Sequence, residues 1–120
     1  MAQILLVDGN PHVRRSIDRV LARGGHAVVA CASAATASEL VSAGTPFDVL
    51  LIDLGVGPVP WLEQLVEVAR RVNRNATVSV ITSGLDVADA GAFEIMQKPI
   101  RADALLGAIH RAGAGLLAGA

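Results

Sequence analysis

Ile4-Leu5-Leu6-Val7-Asp8-Gly9-Asn10, ILLVDGN at positions 4–10, is the stretch on which the fold turns. Four apolar residues run straight into one carboxylate, and a glycine, an asparagine and Pro11 follow at once. A continuous apolar run of this length reads as a strand covered on both faces. Asn10 followed by Pro11 reads as the N-cap and first position of a helix. Asp8 therefore stands where a buried strand ends and a helix begins. A charge there is either a satisfied structural carboxylate or part of a site, and the rest of the chain has to decide.

Outward from this stretch, strand-like and helix-like segments alternate. Strand signals are QILLV (3–7), HAVVAC (26–31), FDVLLI (47–52), TVSVI (77–81) and the weaker FEIMQ (93–97). Between Pro11 and Arg23, Val13, Ile17, Val20 and Leu21 follow the helical period, and Gly24-Gly25 supplies the stop. A second helix is expected from Ser33 to Ala43, with Ala37, Leu40 and Val41 inward. A third is expected from Pro60 to Arg74, with Leu62, Leu65, Val66, Ala69 and Val72 inward. A last one runs from Arg101 to about Leu117, with Leu105, Leu106, Ile109 and Ala112 inward. Strands alternating with helices imply βαβ units and a parallel sheet. Only SGLDVADAGA (83–92) separates the fourth and fifth strands, too little for more than a two-turn helix.

Composition agrees and removes several classes of function. At 120 residues the chain is expected to be one domain, spanning 1–120, with a single core. Hydrophobic residues make up 52%, with one Trp, two Phe and no Tyr, so the core must come from Val, Leu, Ile and Ala. A formal net charge of −1, from 10 basic and 11 acidic residues, lacks the basic excess of a nucleic-acid binder. Cys31 is the single cysteine, so an internal disulfide is excluded and a buried structural thiol is expected. No stretch reaches the roughly 20 apolar residues needed to span a bilayer, and MAQILLV lacks the basic start of a signal peptide. We read the chain as soluble and cytoplasmic, without nucleic-acid or membrane partners.

In an open parallel sheet, ligands bind beyond the carboxyl ends of the strands, near the switch in strand order. Strand 1 ends in Asp8, strand 3 in Asp53, strand 4 in Thr82 followed by Ser83, and strand 5 in Lys98 followed by Pro99. Two acids, a hydroxyl and an ammonium, each delivered by a different strand, converge on one edge. Any one alone could be a helix cap; four together point to a site.

This set, with the pieces ILLVD, FDVLLIDL, VSVITS and QKPI, resembles the receiver domain of bacterial two-component response regulators. The likeness runs from Gln3 to about Arg111. It implies a doubly wound, flavodoxin-like fold with a five-stranded parallel sheet of order 2-1-3-4-5. It further implies phosphoryl transfer from a phosphohistidine onto Asp53, with Lys98 and Thr82 on the phosphoryl oxygens. Mg²⁺ would be held by Asp8, Asp53 and the backbone carbonyl of Gly55. Such a protein is a signalling module, not a turnover enzyme beyond its own phosphorylation and dephosphorylation. It takes its phosphoryl group from a sensor histidine kinase or phosphotransfer protein and acts on a downstream protein. The Lys98-Pro99 bond is expected to be cis, turning Lys98 back over the strand ends.

The chain also departs from the family pattern. Gly9 replaces the second of two adjacent acids, so Mg²⁺ should bind weakly. Ile95 replaces the aromatic residue usual three positions before the lysine. The 83–92 segment is short by about one and a half helical turns, roughly 8 Å of helix, so the fourth helix should be shortened or missing. GVGPVPW (55–61) replaces the usual methionine-proline turn. These departures leave a second reading, a pseudo-receiver that binds partners without phosphorylation or Mg²⁺. A phosphatase with a nucleophilic acid after strand 1 would want an acid at position 10, which is Asn. GNPH does not provide the glycine-rich turn of a dinucleotide site. His12, His26 and His110 have no acid or cysteine at a ligand spacing. Arg15, Arg19 and Arg23 form an i, i+4 stripe that reads as a solvated face or as a kinase-docking surface.

Overall fold

The computed structural model describes residues 1–82 and 94–118. Five parallel strands form one sheet: β1 (Gln3–Val7), β2 (Ala27–Cys31), β3 (Val49–Asp53), β4 (Thr77–Thr82) and β5 (Glu94–Gln97), in the order β2-β1-β3-β4-β5. Among the described residues the helices are α1 (Pro11–Arg23), α2 (Ala34–Ser42), α3 (Val59–Val72) and α4 (Ala102–Ala118), with a short 3-10 turn at Leu54–Val56. None of the helices among the described residues is long and apolar enough to cross a membrane.

Period-two alternation sorts the apolar strand residues onto two faces. Leu5, Val7, Leu50, Ile52, Val78 and Val80 pack with Ala37, Val41, Leu62, Leu65 and Val66 of α2 and α3. Ile4, Leu6, Val49, Leu51 and Ile81 pack with Ile17 and Leu21 of α1 and with Leu105 and Ile109 of α4. The run ILLV is thus consumed by two cores at once, which is why it does not alternate with polar residues. Each such side chain taken fully from water contributes about 1.5–3 kcal/mol.

Local chemistry sets the helix ends. Asn10 caps α1 by accepting from the backbone N–H groups of His12 and Val13 at 3.0 and 3.2 Å. Gly25, at φ +83°, takes the left-handed position just past the helix. Ser33 caps α2 through Thr36 N–H.

Several boundaries differ from the sequence expectation. β3 begins at Val49, with Phe47 buried before it, and reaches Asp53 itself; β4 likewise includes Thr82. α3 starts at Val59 and ends at Val72, where Asn73 turns out to hold Phe47 O and Asp48. Val72, expected inward, is 43% exposed because it is the last helical residue. β2 is an edge strand, so of its apolar run only Cys31 is buried. Ala112 and the short crossover at 83–92 fall where side chains or backbone are outside the described residues.

Candidate functional site

Register explains how the four polar strand ends meet. Val7 pairs with Cys31 on one side and Ile52 on the other, so Asp8 and Asp53 follow at the same level on neighbouring central strands. Asp53 pairs with Ile81, which puts Thr82 one step beyond, and Thr82 pairs with Gln97, which puts Lys98 one step further. β1 lies between β2 and β3, so the chain leaves it to one side first and to the other later. The four residues therefore surround the switch point of the sheet.

The Lys98 ammonium sits 2.8 Å from Asp8 Oδ2 and 3.6 Å from Asp53 Oδ1. Lys98 N–H donates to Thr82 O at 2.8 Å, and the following Lys98-Pro99 bond is cis, as expected. Asp8 is fully buried and Thr82 nearly so, while the Asp53 side chain keeps 15% of its surface open. Of the two carboxylates, the more accessible is thus the one that ends β3. Asp8 is held from three directions: its N–H donates to Cys31 O, its Oδ1 accepts from Asn10 N–H at 2.9 Å, and its carbonyl accepts from the Arg14 guanidinium at 2.8 Å. Its Oδ2 has no directed hydrogen bond among the described residues and is neutralised by the ammonium alone.

Gly55 lies against the second oxygen of Asp53; a Cβ there would stand 3.2 Å from Oδ2. A Cβ at Gly9 would meet Ala32 O at 3.6 Å, an ordinary contact. Among the described residues no group of three or more His, Cys, Asp or Glu side chains is placed to hold a metal ion. The donors present are all oxygen, the class that Mg²⁺ prefers, and the buried Asp8 Oδ2 has unused accepting capacity. They fit a hard divalent cation.

Two groups near the site are set aside by their surroundings. Burial pushes the Cys31 thiol above its ordinary range, against weaker opposing effects of its contact to Ser33 O and of Arg14. It is a core residue. Asp48, at the other end of the sheet, accepts from Gln3 N–H at 2.8 Å and Asn73 Nδ2 at 3.0 Å, as a structural carboxylate does.

Sequence reading missed Arg14. The i, i+4 spacing of Arg15, Arg19 and Arg23 stood out, and these three are exposed. Arg14 lies one position outside that stripe, and only the return of α1 over the end of β1 brings it to Asp8. Trp61, half-buried at the edge of the core, packs against α2, its indole N–H donating to Ser38 Oγ at 2.9 Å.

The model of the response regulator receiver domain matches residues 4–110. A response regulator receiver protein from Sinorhizobium medicae is 26% identical, with a TM-score of 0.78 over 92% of this chain and 93% of its own. A sensor protein from Polaromonas is also 26% identical, with a TM-score of 0.70 over 92% and 94%. The chemotaxis response regulator CheY4 of Vibrio cholerae, at 23% identity and a TM-score of 0.73 over 93% and 98%, shares the fold. None of the curated proteins matches the chain. With its family model spanning nearly the whole sheet and both helical layers, the chain belongs to the response regulator receiver domains.

Proposed function

We propose that the chain accepts a phosphoryl group on Asp53 from a phosphohistidine of a sensor kinase or phosphotransfer protein, and signals by contact with another protein. The observation that carries this reading is the Lys98 ammonium between the two carboxylates, 2.8 Å from Asp8 and 3.6 Å from Asp53. An Asp53 oxygen attacks phosphorus, a P–O bond forms as the P–N bond breaks, and the bonding pair returns to the imidazole nitrogen, which takes a proton from water. The products are an aspartyl phosphate and histidine. The transferring group spreads negative charge over its equatorial oxygens. Lys98 would meet one of them, and the Thr82 hydroxyl would donate to another. Asp8, Asp53 and the Gly55 carbonyl would hold Mg²⁺, which when bound supplies further positive charge beside the phosphoryl oxygens.

The second reading, an interaction module independent of phosphorylation and Mg²⁺, is favoured by Gly9, which leaves two acids against one lysine. Intact-mass measurement after incubation with acetyl phosphate and Mg²⁺ separates the two. One phosphoryl group is expected on the wild type and none on Asp53→Ala. Modification that persists in Asp53→Ala would move the acceptor elsewhere; none on either protein, even at high Mg²⁺, would favour the second reading.

A further inference from the structure

We propose that Trp61 reads the chemical state of Asp53 through the turn that joins them, an inference that rests on Asp53 being the phosphoacceptor. Gly55 closes one side of the carboxylate, since a Cβ there would stand 3.2 Å from Oδ2. The turn Leu54–Val56 carries the chain from Asp53 to Gly57. Gly57 lies under the indole: a Cβ there would meet Trp61 Cε3 at 2.7 Å and two further ring atoms at 3.1 and 3.3 Å. The Gly57 backbone is extended (φ −172°, ψ 165°), a conformation open to any residue. Ring contact, and not backbone freedom, is what demands glycine at this position. At its far edge the indole N–H donates to Ser38 Oγ of α2 at 2.9 Å. Pro58 precedes α3 and Pro60 lies in its first turn, so the link from Gly57 to Trp61 has few ways to deform by itself.

Phosphorylation replaces a flat carboxylate by a bulkier tetrahedral group with more negative charge. The Gly55 side leaves little room, since even a Cβ there would stand at a tight 3.2 Å from Oδ2. A phosphoryl group on Oδ2 therefore displaces the turn or rotates the carboxylate off Gly55. Packed segments shift as units, because little free volume lies between them. Displacement of the turn is passed to Gly57 and on to the ring that rests on it. The indole borders a cleft of about 140 Å³ between α2 and α3, lined by Ser38, Val41, Leu65 and Val68 among others. Movement of the ring changes the shape of that surface, which lies on the opposite side of the sheet from α1 and α4.

Trp61 is the single Trp and there is no Tyr, so emission of the full chain reports on this side chain alone. Emission and acrylamide quenching are measured with Mg²⁺, before and after acetyl phosphate or beryllofluoride, alongside intact mass. A red shift with stronger quenching is expected for the wild type and neither for Asp53→Ala. Gly57→Ala is expected to lose the state-dependent change, because its methyl group has already displaced the ring, while still gaining the phosphoryl mass. Full phosphoryl mass on the wild type with unchanged emission and quenching would overturn the proposal. Absence of phosphoryl mass would fail the phosphoacceptor reading alone, and Gly55→Ala then decides the coupling. Its methyl group presses on the same Asp53 contact without phosphate: shifted emission supports the link, and unchanged emission overturns it.

Discussion

Gly9 leaves the pocket with Asp8 and Asp53 against Lys98, a formal charge of −1. Apart from its chain neighbours, a Cβ at this position would meet Ala32 O, at the ordinary contact distance of 3.6 Å. Gly9 is also not among the described glycines with positive φ, so a side chain brings no backbone strain. A carboxylate about 5 Å from a divalent cation gains several kcal/mol of gross attraction at an effective dielectric of about 20, most of it returned as desolvation. Gly9→Asp is therefore expected to tighten Mg²⁺ binding by about tenfold, roughly 1.4 kcal/mol net. A Mg²⁺ titration followed by amide chemical shifts checks this. Without metal the same variant should unfold at lower urea, because three acids then share one ammonium. An unchanged midpoint in the titration would mean that position 9 does not face the ion.

At the scale of the element, α1 depends on Asn10. Its side chain satisfies two of the helix's orphan N–H groups, and its own N–H holds Asp8 Oδ1. Asn10→Ala removes the first of these functions and keeps the second. A loss of about 1 kcal/mol is expected from the cap, read as a lower urea midpoint at constant slope. Stability should fall without loss of the Asp8 contact, so the phosphoryl mass gained from acetyl phosphate should be unchanged below the transition. The Glu67–Arg71 pair on α3 is a contrasting case: both partners are largely exposed, and its removal should move stability by well under about 1 kcal/mol.

For the whole molecule, the N-terminal end of the sheet is tied down by His26, whose Nδ1 accepts from Ala2 N–H at 3.0 Å. Only an unprotonated Nδ1 can accept. Burial, and then the positive N-terminus, lower the His26 pKa from its ordinary 6.5. A depressed folded pKa means that the unfolded chain takes up the proton first. The contribution of His26 is complete above pH about 6.5 and is lost as pH falls from there through the lower folded value. Thermal melts between pH 7.5 and 5 should show this fall, and His26→Ala should flatten it within that window. Equal slopes in the two proteins would assign the acid sensitivity to other groups.

Much of this molecule was legible without coordinates because it is written in neighbouring residues. ILLV against two cores, Asn10-Pro11 as a helix start and Gly24-Gly25 as its stop depend on spacing within one or two turns of chain. The convergence of Asp8, Asp53, Thr82 and Lys98 was equally legible, since parallel strands deliver their last residues to one edge whatever the loops do. Tertiary structure alone decided how the charges are shared. Lys98 lies closer to Asp8 than to Asp53, and Arg14 rather than its exposed neighbours reaches the strand end. It also decided that Trp61 rests on Gly57 and bonds to Ser38, and that β2 is an edge with Val29 40% exposed. These are contacts between residues far apart in the chain, set by sheet register, helix placement and packing to within an ångström. Local pattern specifies which face a side chain occupies, but not which atom it meets there.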